Sequence, residues 1–244
     1  MPHISITAEK LFDLYGLPVT NTLLTSWLVV ILLATIAIFI NRRIKAVPGI
    51  TQNIAEIAIE KMLDFFETVA GSREKAEKFF PLVATIFIFI LAANWIGIVP
   101  GVGSIGFTEH EEFAPLLRSM NSDLNMTLAL ALVAVVLAHF FGIVSIGLKG
   151  HISKFINFKS PIAFFSGILE LIGEVSRVLS FSFRLFGNVF AGEVLLVIIS
   201  FLVPYLAPVP FLGMELFVGF IQALIFATLT MLIVATFTEA HESH

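Results

Sequence analysis

Apolar residues fall in long blocks along this chain, separated by short clusters of charge, proline and glycine. The first block, Leu23 to Ile40, carries no charged residue and has about the length of helix that crosses a hydrocarbon core ~30 Å thick. It predicts a first membrane crossing over 23–40. The stretch before it, 1–22, is read as an outer N-terminal segment. It carries Glu9 and Asp13 and lacks a basic region followed by a small-residue cleavage site, so it is not read as a removable signal peptide.

From 50 to 70 the pattern changes. Ile54, Ile57, Met62, Phe65, Phe66 and Val69 recur at three- and four-residue spacing against Glu56, Glu60, Lys61, Asp64 and Glu67, which predicts an amphipathic helix on the membrane surface. Further crossings are predicted at 80–99, ended by the turn pair Pro100-Gly101, and at 126–146. Between them lies an acidic loop with Glu109, Glu111, Glu112 and Asp123, and after 146 a short loop with Lys149, Lys154 and Lys159.

The block from 161 to 203 has no strong breaker before Pro204 and would be about 64 Å long as one helix. It must tilt steeply, bend or fold into a hairpin, and the polar stripe described below favours a long tilted helix. After Pro204, Pro208 and Pro210, a second long tilted helix is predicted over 211–237. The expectation is therefore an all-α membrane protein, one membrane domain over 1–244, with five transmembrane helices and one surface helix.

Composition agrees with the pattern. The 244 residues are 58% hydrophobic and 13% charged, with a mean hydropathy of +0.99, too much apolar surface for one soluble core. With no cysteine there is no disulfide framework and no thiolate metal site. The formal charge of −4 decides nothing, but the confinement of basic clusters to the flanks of spans excludes a nucleic-acid surface. His3, His110, His151, His241 and His244 are scattered without metal-ligand spacing, so neither a metal nor another cofactor is expected.

Lysine and arginine are shared unevenly. Segment 41–79 holds Arg42, Arg43, Lys45, Lys61, Arg73, Lys75 and Lys78, and 147–160 holds three lysines, whereas the N-terminal stretch has only Lys10 and the 100–123 loop only Arg118. Cationic loops resist translocation. The N-terminus is therefore expected outside, with the two basic loops and the C-terminus in the cytoplasm.

At about 100° per residue, Glu170, Glu174, Arg177, Phe181, Arg184, Asn188 and Gly192 fall along one line of the 161–203 helix. Glu170, Glu174 and Arg177 read equally well as ion pairs near an aqueous helix end. Arg184 does not, because it lies about 35 Å of helix from Pro161 and about 30 Å from Pro204.

The run Phe183-Arg184-Leu185-Phe186-Gly187-Asn188-Val189-Phe190-Ala191-Gly192-Glu193 resembles the hallmark of the ATP synthase subunit a family, Arg-Leu-Phe-Gly-Asn followed by Ala-Gly-Glu. The resemblance extends to Ser122-Asp123-Leu124-Asn125 and to Gln222-Ala223, and covers nearly the whole chain. It implies the non-catalytic, proton-channel stator subunit of an F-type ATP synthase in a bacterial inner membrane. Its two long helices would pack against a ring of c subunits, each with one membrane carboxylate, and two half-channels would carry protons to and from that ring. Further implied partners are the peripheral-stalk b subunit and the complete F1Fo assembly.

Residue by residue, the resemblance implies that Arg184 is the essential cation between the half-channels, with Asn188 and Gln222 orienting it and lining the route. Glu170 matches an acid near the cytoplasmic exit. Glu193 and Glu215 match the outer path, although Glu193 lies about 140° off the polar line and could face a partner helix, and Glu215 could be a solvated carboxylate near a helix end. His139 reads either as a packed, hydrogen-bonded histidine or as a proton relay. Asn94 is expected to bond across helices. The alternative class is an autonomous ion transporter or channel, but the inverted repeats and broken midplane helices of that class are absent from the sequence.

Overall fold

The computed structural model describes residues 8–14, 16–99, 102, 106–109, 112–155 and 160–238. The Pro100-Gly101 pair, Glu111, Lys159, the 239–244 tail, and His3, His110, His241 and His244 lie outside the described residues.

The chain starts with a hairpin, β1 (Lys10–Leu14) paired antiparallel with β2 (Leu17–Thr20). Thr20 ends it and begins α1 (Asn21–Asn41), its hydroxyl accepting from the Leu23 amide at 3.3 Å as an N-cap. Helix α2 (Ile50–Ala70) meets α3 (Arg73–Ile98) at a tight corner. There Arg73 reaches Asp64 at 2.8 Å, Glu67 at 3.2 Å and Glu77 at 2.9 Å. Ser72 caps α3, which begins ahead of the expected 80 and carries Pro81 inside it.

A second hairpin follows, β3 (Gly106–Glu109) against β4 (Glu112–Pro115), then a 3-10 turn at Met120–Ser122. The last helices are α4 (Leu124–Phe155), α5 (Pro161–Leu202) and α6 (Pro208–Thr238). Helix α5 is continuous over 42 residues, so of the three arrangements open to 161–203 the hairpin does not occur. Pro208 and Pro210 lie in the first turn of α6 rather than in a preceding turn, a position where the missing N–H has no intrahelical partner to lose.

Helices α1, α3, α4, α5 and α6 are each long and apolar enough to cross a membrane. The chain is thus an all-α membrane protein with five candidate spans, and the two short hairpins on its loops are additions that periodicity did not predict. Helix α3 runs along α6, and α4 packs on both α5 and α6. Ala131, Ala134 and Ala138 of α4 meet Ala223 and Ala227 of α6 in a core with Val83, Ile90, Leu185 and Met231. Small residues at such seams let backbones approach closely. Helix α2 splits along its length: Phe66 and Ala70 are buried in this core, while Ile50, Ile54 and Ile57 stay exposed.

The expected loop after 146 is mostly helix. Gly147 takes φ 79° and ψ 157°, a region open in practice only to glycine, and the chain turns there into a second arm that carries Lys149, His151 and Lys154.

Candidate functional site

Arg184 lies in the middle of α5 with its side chain exposed. Its Nη2 donates to Ser180 Oγ one turn earlier, at 3.4 Å. Among the described residues no carboxylate is within ion-pair distance of it. A guanidinium keeps its charge in such a setting.

Two spaces meet at this side chain. One is a cavity of about 410 Å³ between α5 and α6, lined by Glu170, Arg177, Ser180 and Arg184 together with Leu232 and Thr236. The other is a narrow gap lined by Arg184, Leu185, Gln222 and Phe226. Gln222 thus lines the same gap as Arg184, whereas Glu170 shares the larger cavity from about 21 Å further back along the helix. Asn188 is close but engaged differently: its Nδ2 donates to the main-chain oxygen of Arg184 at 2.9 Å, so it bonds the backbone rather than the guanidinium.

Glu193, further along α5, faces a loop residue that the sequence analysis used only to count charge. Arg118 is 8% exposed, and its Nε reaches Glu193 Oε1 at 3.1 Å while Nη2 reaches Oε2 at 3.5 Å. The Arg118 backbone amide in turn donates to Thr25 Oγ1 of α1 at 3.2 Å. Nearby, Thr22 Oγ1 donates to Asp123 Oδ2 at 3.0 Å, and Asp123 Oδ1 accepts from the Asn125 amide at 2.9 Å. The loop that carries Arg118 is thus pinned to α1 and to the start of α4.

Glu215 of α6 comes to the same end of the bundle. A Cβ on Gly192 would lie 2.6 Å from Glu215 Oε1, so the glycine next to Glu193 is what admits the Glu215 carboxylate. Its Oε2 is buried without a hydrogen-bond partner. Two carboxylates and one arginine thus gather where α5, α6 and the Arg118 loop converge. Asn94 bridges inward from α3, donating to the Gly219 carbonyl at 3.0 Å and accepting from Asn121 Nδ2 at 2.7 Å.

A second polar cluster lies toward the other end of α4 and α5. Glu174, only 7% exposed, accepts from Arg177 Nη1 at 2.5 Å and lies 3.5 Å from His139 Nε2. His139 Nδ1 is 3.0 Å from His151 Nε2, and the His139 ring stacks on Phe237. Glu174 is therefore no solvated end-of-helix ion, and His151 is no isolated histidine. The single sequence signal for the cluster was Gly147, whose turn folds the second arm of α4 back on the first. Among the described residues no three His, Asp or Glu side chains are disposed to hold a metal ion.

The chain was compared with known proteins. The family model for the ATP synthase A chain matches residues 23–234. An ATP synthase subunit a of Campylobacter jejuni strain 81-176 is 35% identical over 220 residues, 89% of each chain. The Moorella thermoacetica subunit a is 31% identical over 232 residues, 95% of this chain and 97% of its own. That of Gloeobacter violaceus is 35% identical over 224 residues, 92% and 86%. With a family match across nearly all of its spans and relatives this similar along most of their length, the chain belongs to the ATP synthase A chain family.

Proposed function

We propose that this chain is the proton-conducting stator subunit of a rotary ATP synthase, passing protons between two aqueous paths and the carboxylates of a rotating c ring. The observation that carries the reading is Arg184, a permanent cation exposed mid-span without a carboxylate partner of its own among the described residues. An unpaired intramembrane charge is costly, and a ring carboxylate is the partner that would offset it. The helix that carries Arg184 also leaves Phe165, Leu169, Ile172, Leu179 and Phe183 exposed, a face suited to packing against apolar ring helices.

In this reading protons enter from outside by way of Glu193 and Glu215, where carboxylates can hold a proton if water reaches them. They reach the ring, ride nearly a full turn and leave through the cavity at Glu170. Gln222 lines the narrow gap at Arg184. The chain performs no bond chemistry itself, and the b subunit of the peripheral stalk would hold it still against the ring.

Arg184 separates the two paths electrostatically. A fixed cation attracts a carboxylate by roughly 4 kcal/mol at 4 Å for an effective dielectric of ~20, more than the ~2.3 kcal/mol per charge that 100 mV supplies. The carboxylate stays ionised as it passes, and a proton cannot step directly from one path to the other. The Lys and Arg bias supports an outer N-terminus and a cytoplasmic C-terminus in a bacterial inner membrane.

The test is the complete complex reconstituted in liposomes with Arg184→Ala. ATP-driven acidification is expected to vanish while passive proton flux through the membrane sector persists. Substantial coupled pumping by that variant would overturn the reading.

A further inference from the structure

We propose that His139 and Glu174, backed by His151, form a buried site that takes up a proton from the cavity beside Arg177 and returns it. The inference rests on the proton path proposed at Arg184 and adds a proton-holding station to it.

The fold assembles this site from distant parts of the chain. Along a straight helix His139 and His151 would stand about 18 Å apart. The turn at Gly147 instead brings their ring nitrogens to 3.0 Å. From α5, Glu174 places Oε2 3.5 Å from His139 Nε2 and Oε1 2.5 Å from Arg177 Nη1, and Arg177 lines the cavity that reaches Arg184. Facing the two rings are Glu174 and Arg177 from α5 and Lys154 from the second arm of α4. Helix α6 contributes the ring of Phe237.

Counting protons shows what the cluster can do. Each neutral imidazole carries one N–H. When His139 donates its Nδ1–H to His151 Nε2, the proton of His151 is on Nδ1. His139 Nε2 and Glu174 Oε2 then face each other as two acceptors, and neither Glu174 Oε2 nor His151 Nδ1 has a hydrogen-bond partner. In that tautomer the buried Glu174 Oε2 and the half-buried His139 Nε2 can hold a further proton between them. Packing alone would be served as well by apolar side chains of similar shape, which leave no polar atom unpaired.

Loading brings one proton from cavity water past the lining residue Arg177 to Glu174, which is buried behind it. That proton is shared between Glu174 Oε2 and His139 Nε2, which converts the facing acceptors into an imidazolium–carboxylate pair, with the charge spread through the His139–His151 bond. Unloading returns the same proton to cavity water, and both rings keep the protons they had. The loaded site adds one positive charge next to Arg177, which opposes arrival of a second proton until the first has left.

The experiment uses the complete complex in proteoliposomes, with passive and ATP-driven proton flux measured per assembled complex from about pH 5 to 9. His139→Gln and Glu174→Gln, which keep the size of the side chain but cannot hold the proton, are expected to lower flux about threefold or more and to flatten its pH profile. His151→Gln, a change at a positioning residue, is expected to shift the profile with a smaller loss. Wild-type flux per complex with an unchanged profile in His139→Gln and Glu174→Gln would overturn the proposal, even if less complex assembles. If those variants do not assemble, nitrogen NMR of the wild-type complex with labelled histidine decides. The histidine pair joined by an N–H···N bond must gain a proton on acidification, and a pair that stays neutral throughout overturns the site. Arg184→Ala in the same preparation keeps the two readings apart: coupled pumping by that variant sinks the proton path, whereas wild-type behaviour of the histidine variants alone sinks only this station.

Discussion

Arg118 grips Glu193 with two guanidinium nitrogens, at 3.1 and 3.5 Å, across 75 positions of sequence. A loop residue thereby fixes a carboxylate on a membrane helix. Arg118→Ala is expected to cost about 2 kcal/mol, below the ~3–5 kcal/mol for breaking a fully buried pair, because Glu193 is 32% exposed. Thermal unfolding of the complex measures it. Adding Glu193→Gln should recover part of that loss, and a double-mutant cycle with no coupling would show that the pair does not matter.

Arg184→Lys is expected to abolish both ATP synthesis and ATP-driven pumping. An ammonium in a poor solvent sheds its proton after a drop of several pKa units, whereas a guanidinium does not. ATP synthesis by proteoliposomes under an imposed proton gradient tests it, and near-wild-type rates would count against a need for a permanent charge.

Glu193→Gln and Glu215→Gln are each expected to slow proton-driven synthesis without preventing assembly. Gly192→Ala should mimic them, since its methyl would press on Glu215 Oε1. Proton flux at wild-type levels in both glutamine variants would require the outer path to be drawn elsewhere.

Gly147→Ala is expected to destabilise α4 by about 1–3 kcal/mol, because φ 79° with ψ 157° is strained for any residue with a Cβ. The second arm should then separate from the first, and the His139–His151 contact should open. Loss of the N–H···N signal between these rings would register the change, and an unaltered signal would mean the turn tolerates a side chain.

Single cysteines can be placed at will in a chain that has none. Lys45→Cys and Lys75→Cys are expected to react with impermeant thiol reagents only from the cytoplasmic face, as the positive-inside bias requires. Labelling of both from the outer face alone would invert the topology.

The sequence by itself determined the class of this protein and pointed to Arg184 as the centre of its proposed site. Long uncharged blocks leave a helix across a bilayer as the available solution, because every backbone polar group must then be satisfied within its own segment. A mid-span arginine on a polar line was visible for the same reason: a charge so far from either end of the helix stands out in any apolar run. What only the tertiary structure decided were the partners. Period and hydropathy report which face a residue occupies, not what lies opposite it. Arg118 therefore read as one more loop charge until its loop was seen pinned to α1, with the guanidinium on Glu193. His151 read as scattered, and His139 as either a packed histidine or a proton relay, until the turn at Gly147 folded α4 on itself and joined them. Glu174 read either as part of an ion pair near an aqueous helix end or as part of the polar line, until α4 and α5 packed and buried its pair with Arg177. Each of these contacts depends on how helices meet, which is settled by small residues at their seams and by the conformation of a single glycine.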